Sequence, residues 1–160
     1  MTILTDQKII AALAALVLLL AGCGPGTGGT GTGPTPGSVT FAGAGTLPSA
    51  TCRSNCNTVA LRLEDAHVEL TGACVRFVHA HALPPDATGD VVLNGVVETL
   101  TPSGTVGTPG TLRLQFGGGA AADAPSVTVT LQDASGATLL GPVLLVREAA
   151  NAGTPAECGP

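Results

Sequence analysis

Residues 111–132 read TLRLQFGGGAAADAPSVTVTLQ, two alternating runs on either side of a Gly/Ala/Pro break. In the first run Leu112, Leu114 and Phe116 alternate with Thr111, Arg113 and Gln115. In the second, Val127, Val129 and Leu131 alternate with Thr128, Thr130 and Gln132. A period of two puts successive side chains on opposite faces of a strand, whereas a helix would bring apolar residues back every 3.6 positions. Each run therefore has one dry face and one wet face, as antiparallel sheets do. The same period recurs from Val39 onward and predicts about eight strands, near 39–43, 58–64, 66–70, 73–81, 90–93, 96–101, 111–116 and 125–132, with one or two more within 137–147. The expected fold is all-β: an antiparallel, Ig-like β-sandwich, with a small β-barrel as the alternative. Residues 39–160 form the expected domain, with a core of Val, Leu and Ala around Phe41, Phe77 and Phe116.

Turn chemistry divides these strands. Asn94-Gly95, flanked by valines and leucine, predicts a type I′ hairpin turn, which needs positive φ at both central residues. Asp133-Ala134-Ser135-Gly136 and Thr71-Gly72 predict two further turns. Glu64-Asp65 reads as a turn or bulge between strands, because adjacent acids on one strand point to opposite faces.

Composition narrows the function. The 160 residues carry 6 Lys+Arg against 11 Asp+Glu, a net charge of −5, and Lys8 is the only lysine. A surface of this sign cannot neutralise phosphates, so nucleic acid is excluded as a partner. With no Trp and no Tyr, the usual platforms for stacking bases or sugars are missing too.

Lys8 precedes an apolar run of 12 residues, Ile9 to Leu20, followed by Ala21 and Gly22. That is the build of a secretory signal peptide, and it is shorter than the ~18–20 residues a bilayer span requires. The next residue decides its type, since Leu20-Ala21-Gly22-Cys23 resembles the lipobox of bacterial lipoproteins. The resemblance implies cleavage before Cys23, lipidation of that residue and attachment to a membrane of the bacterial cell envelope. Gly24, where inner-membrane lipoproteins of enteric bacteria carry Asp, implies the outer membrane. Residues 1–22 are thus expected as signal peptide and 23–38 as the lipidated Cys with a Gly/Thr/Pro tether. The stretch GPGTGGTGTGPTPGS has nothing apolar to bury and spans about 20–25 Å root-mean-square as a flexible chain.

Val75-Arg76-Phe77-Val78-His79-Ala80 and Asp90-Val91-Val92-Leu93-Asn94-Gly95 resemble the opening of an uncharacterised domain family of secreted and lipid-anchored bacterial proteins. The resemblance implies a small β-sandwich and supplies no activity.

Chemistry is sparse. His79 and His81 on one strand would share a face, ~6.5–7 Å apart, which is how strand-borne copper and zinc sites begin. A turn at Thr71-Gly72 places His67 opposite Arg76, on the other face, so the three histidines do not converge; Asp86 or Asp90 would have to complete a site. The expected reading is that His79 is a hydrogen-bonded, partly buried strand residue and His81 a loop residue, with metal binding as the alternative. There is no G-x-S-x-G, no H-E-x-x-H and no carboxylate pair with a shared cleft, so no enzyme and no cofactor are expected. Arg62, Arg76 and Arg113 read as wet-face charges, and Phe116 to Gly119 as a plain loop. The expected function is a non-catalytic envelope lipoprotein that acts through a protein partner or as a structural module. A lipoprotein binding a small ligand or a metal is the alternative.

With Cys23 lipidated, Cys52, Cys56, Cys74 and Cys158 remain, an even number in an oxidising compartment. A lone C-x-x-x-C is not a zinc-ribbon spacing. If residues 58–70 form one arm of a hairpin and 73–81 the other, Cys56 and Cys74 stand roughly 40 Å apart at ~3.3 Å per residue, beyond any disulfide. The pairing that remains is Cys52–Cys56 with Cys74–Cys158, the second worth on the order of 4 kcal/mol by loop closure.

Overall fold

The computed structural model describes residues 38–148 and 156–159, so Cys23, the signal segment and residues 24–37 of the tether lie outside the described residues. Ten strands form: β1 (Val39–Ala44), β2 (Cys52–Ser54), β3 (Thr58–Leu63), β4 (Val68–Gly72), β5 (Val75–His79), β6 (Asp90–Thr101), β7 (Gly104–Gly117), β8 (Ser126–Asp133), β9 (Thr138–Glu148) and β10 (Glu157–Cys158). No helix is present among the described residues.

The all-β expectation holds, and of its two architectures the structure takes the barrel rather than the Ig-like sandwich. Eight strands close in the order β1-β3-β4-β5-β6-β7-β8-β9, every neighbouring pair antiparallel. Closure depends on β1, which pairs with β3 along its whole length and with β9 through Thr40↔Glu148, Phe41↔Arg147 and Ala42↔Val146. At that seam a Cβ on Gly43 would stand 2.8 Å from Leu145 Cδ2, so the missing side chain lets the two strands meet. An eight-stranded barrel is just wide enough for side chains to fill it. Phe41, Phe77, Leu61, Leu70, Leu112, Leu114, Leu131, Leu140 and Leu145 do so, all essentially without solvent contact.

Two predicted turns are displaced. Asn94-Gly95 is no turn: β6 runs straight through it, with Asn94 facing Thr111 and Gly95 facing Gly110 on β7. Gly95 is needed there because the Phe77 ring packs on it; a Cβ would sit 2.6 Å from Phe77 Cζ. The chain turns instead at Pro102-Ser103. Thr71-Gly72 is also strand, and the turn falls at Ala73-Cys74, whose φ values of 43° and 65° supply the left-handed geometry the hairpin demands. The turn at Asp133 to Gly136 forms where expected, with Gly136 N–H donating to Asp133 O. The Glu64-Asp65 turn forms too, closed by Glu64 N–H on His67 O.

These turns sort the molecule into two ends. Val39, the 64–67 turn and the 80–89 and 118–125 loops lie at the end where the chain enters the barrel. The 45–57 loop with β2, the Ala73-Cys74 turn, the tip of the β6–β7 hairpin and the β2–β10 ribbon lie at the other.

Candidate functional site

His79 ends β5 on the face it shares with Val75 and Phe77, as expected, at the chain-entry end of the barrel. Its Nδ1–H donates to Asn94 O at 2.7 Å, a bond that does not use Nε2. His81 is exposed just beyond the strand, and the two rings meet edge to face with centroids 5.5 Å apart. His67 is not opposite Arg76, since the shifted turn gives that place to Thr71. It sits 3.6 Å from Glu64 across its own turn. Asp86 is exposed in the 80–89 loop and Asp90 opens β6 opposite Gln115. Among the described residues no group of three or more His, Cys, Asp or Glu converges to hold a metal.

The charges read as wet-face residues divide. Arg76 bridges Glu69 on β4 at 2.6 Å and Glu98 on β6 at 3.2 Å, tying three strands on the outer face. The Glu69 hydrogen bond, opposed in part by burial, raises the Arg76 pKa further. Arg113 instead lines an open groove of ≈ 350 Å³ on the outside of β6–β8 with Asp90, Gln115, Thr128 and Thr130. A neighbouring groove of ≈ 420 Å³ is lined by Asn94, Pro109, Thr111, Gln132 and Asp133. Both mix amides and hydroxyls with single charges, Asp90 and Arg113 in the first and Asp133 in the second.

Two features escaped the sequence reading. Arg147 has the inward parity of Val143 and Leu145 but ends at the barrel mouth, where its guanidinium covers Phe41 at 5.7 Å and donates to the carbonyls of Ala121, Ala122 and Ala124. An arginine in phase with an apolar face is the signal that could have found it. The second is an arm. From Gly104 to Pro109, β7 runs beyond β8 and pairs with β6 alone, leaving a free edge with all six residues exposed. Val96 (45% exposed) projects from one face of this hairpin and Val106 (51%) from the other.

Cys52–Cys56 and Cys74–Cys158 form as expected, each with Cα atoms 5.8 Å apart. The premise behind that pairing was wrong, however. Residues 58–70 are not one arm, because β3 and β4 fold back on each other with Val59 opposite Gly72, and Cys56 and Cys74 lie at the same end of the barrel.

Comparison with protein-family models, with curated proteins and with solved structures finds no significant match. The functional reading therefore rests on the residues themselves.

Proposed function

We propose that this protein is a lipid-anchored, non-catalytic interaction module of the bacterial cell envelope, held in the outer membrane through Cys23 and engaging a protein partner with its β6–β7 arm. The observation that supports it is the arm: a free strand edge beside two exposed valines, at the end of the barrel opposite the chain's point of entry. An unpaired edge is a template for a partner strand, and aliphatic side chains add apolar area to such a contact. A photo-crosslinker at position 106, placed in the full-length protein in living cells, is expected to give a discrete adduct that position 62 on the outer face of β3 does not give. Equal labelling at both positions refutes the arm. Cys23→Ser is expected to abolish fatty-acid labelling, and persistent labelling refutes the anchor.

A second reading is supported by the His79/His81 pair, whose rings are close and whose His79 Nε2 is free to ligate copper or zinc. A ligand that binds only the folded state raises the melting temperature. A rise with either metal that disappears in His79→Ala supports this reading, and an unchanged melting temperature removes it.

A further inference from the structure

All four disulfide-forming cysteines meet at one end of the barrel, and their register allows a second pairing. Cys158 and Cys52 are cross-strand partners in the β2–β10 ribbon. Gly159 N–H donates to Thr51 O at 3.0 Å. The ladder shifts register between Glu157 and Cys158, and the adjoining Cys52/Cys158 pair falls at a non-hydrogen-bonded position, where facing Cα atoms of a regular ladder come to about 4.5 Å and both side chains leave the same face. Disulfides accept Cα separations of ~4.4–6.8 Å, so Cys52 and Cys158 are within bonding reach of each other while each is bonded elsewhere. Val59, three residues after Cys56, pairs with Gly72, two residues before Cys74, so those two cysteines lie at this end as well.

The ribbon does not depend on the Cys158 sulfur alone. Glu157 pairs with Ser54, and the Arg53 guanidinium lies against Gly159, its Cζ 2.7 Å from where a Cβ would be. Contacts other than the Cys74–Cys158 bond thus also hold Cys158 opposite Cys52.

We propose that these cysteines form a thiol–disulfide exchange site in which a Cys52–Cys158 link replaces the Cys74–Cys158 link, opened by an external dithiol. Cys158 is exposed, and the other three are half-buried. A thiolate of the dithiol attacks Cys158 Sγ, the Cys74–Cys158 bond breaks, and Cys74 leaves as a thiolate that takes up a proton. The second thiol of the reagent then displaces Cys158 and departs as a disulfide, two electrons having passed to the protein. The Cys158 thiolate attacks Cys52 Sγ, forming Cys52–Cys158 and releasing Cys56. Cys56 and Cys74 remain as thiols, which hold the two electrons taken from the reagent. The Cys74–Cys158 link ties the tail to the β4–β5 turn; the Cys52–Cys158 link ties it to β2. The reagent class that fits is a dithiol/disulfide oxidoreductase of the oxidising compartment.

Cys56→Ser tests the central step without any reagent. Its free Cys52 thiolate faces Cys158 and should displace Cys74, so acid-quenched peptide mapping under non-reducing conditions is expected to find a Cys52–Cys158 link together with free Cys74. Finding Cys74–Cys158 alone in a folded variant overturns the proposal. If this variant does not fold, wild-type protein treated with substoichiometric dithiothreitol and quenched at intervals decides it. A one-disulfide species linked Cys52–Cys158 is the expected product, and only native links at every time point overturn the proposal.

Discussion

Gly95→Ala is the substitution that separates a strand at this position from a turn. In the barrel its new methyl carbon would stand 2.6 and 2.8 Å from Phe77 Cζ and Cε2 and would press on the Val78 carbonyl, a backbone atom of the neighbouring strand. Phe77 is fully buried, so its ring has nowhere to retreat. Overpacking a core costs about 1–3 kcal/mol. Disturbing a β5–β6 ladder bond adds about 1 kcal/mol. The expected loss is therefore about 3 kcal/mol, or a fall of about 10–20 °C in Tm. The chain has no Trp or Tyr, so far-UV circular dichroism during thermal or urea unfolding is the suitable probe. Phe77→Leu, destabilising by itself, should partly rescue Gly95→Ala, with a coupling of about 1 kcal/mol in the double-mutant cycle. Asn94→Thr should leave stability within about 0.5 kcal/mol, because Asn94 is an exposed strand residue and not the left-handed first residue of a turn. A Gly95→Ala protein as stable as the wild type, or no coupling to Phe77, refutes the packing argument.

Three further outcomes follow from the same geometry. Cys74→Ala/Cys158→Ala should lower stability by up to about 4.5 kcal/mol and Cys52→Ala/Cys56→Ala by about 2 kcal/mol, from loop closures of 84 and 4 residues, measured by urea unfolding. Asp133 accepts hydrogen bonds from Ser135 Oγ, Ser135 N–H and Ala137 N–H, and the Ser135 hydroxyl foremost holds its carboxyl below the ordinary value of 3.8. Its contribution is fully present above that value and disappears as pH falls through the lowered one, so the stability gap between wild type and Asp133→Ala should close in strong acid. Arg147→Ala removes the contacts to the Ala121, Ala122 and Ala124 carbonyls and should cost about 1–3 kcal/mol, with faster amide exchange confined to residues 120–124; Arg147→Lys should not restore protection, lacking the planar fork.

What the sequence disclosed and what it hid have physical causes. Alternation is a local property, so the strands at 111–116 and 125–132 could be read from it. Barrel closure rests on Phe41 meeting Arg147, more than a hundred residues away, and no local pattern encodes that. Asn94-Gly95 misled because a glycine marks either a left-handed backbone or a place where another group needs the space of a side chain; here the Phe77 ring takes it. The true turn was hidden for the converse reason. Ala73 and Cys74 hold positive φ, which their residue types seldom adopt, while Leu100 N–H bonds the Cys74 carbonyl and Cys74 is tied to Cys158. Parity made two disulfides legible, but the pairing was reached through a hairpin geometry that does not hold, because β3 and β4 fold back on each other. His79 and His81 came together as their spacing suggested, but a third ligand would have to come from loops whose course the sequence does not dictate.

The seam strand β1 has a mechanical consequence. The polypeptide reaches the barrel at Val39 and continues along β1 toward the opposite end, between β3 and β9. A pull on residue 38 directed away from the barrel acts parallel to β1, at right angles to the hydrogen bonds on both of its sides. Those bonds are loaded together in shear and cannot be opened one at a time, as they would be if the strand were peeled sideways. The domain is thus built to withstand tension at the point where its leading segment joins it.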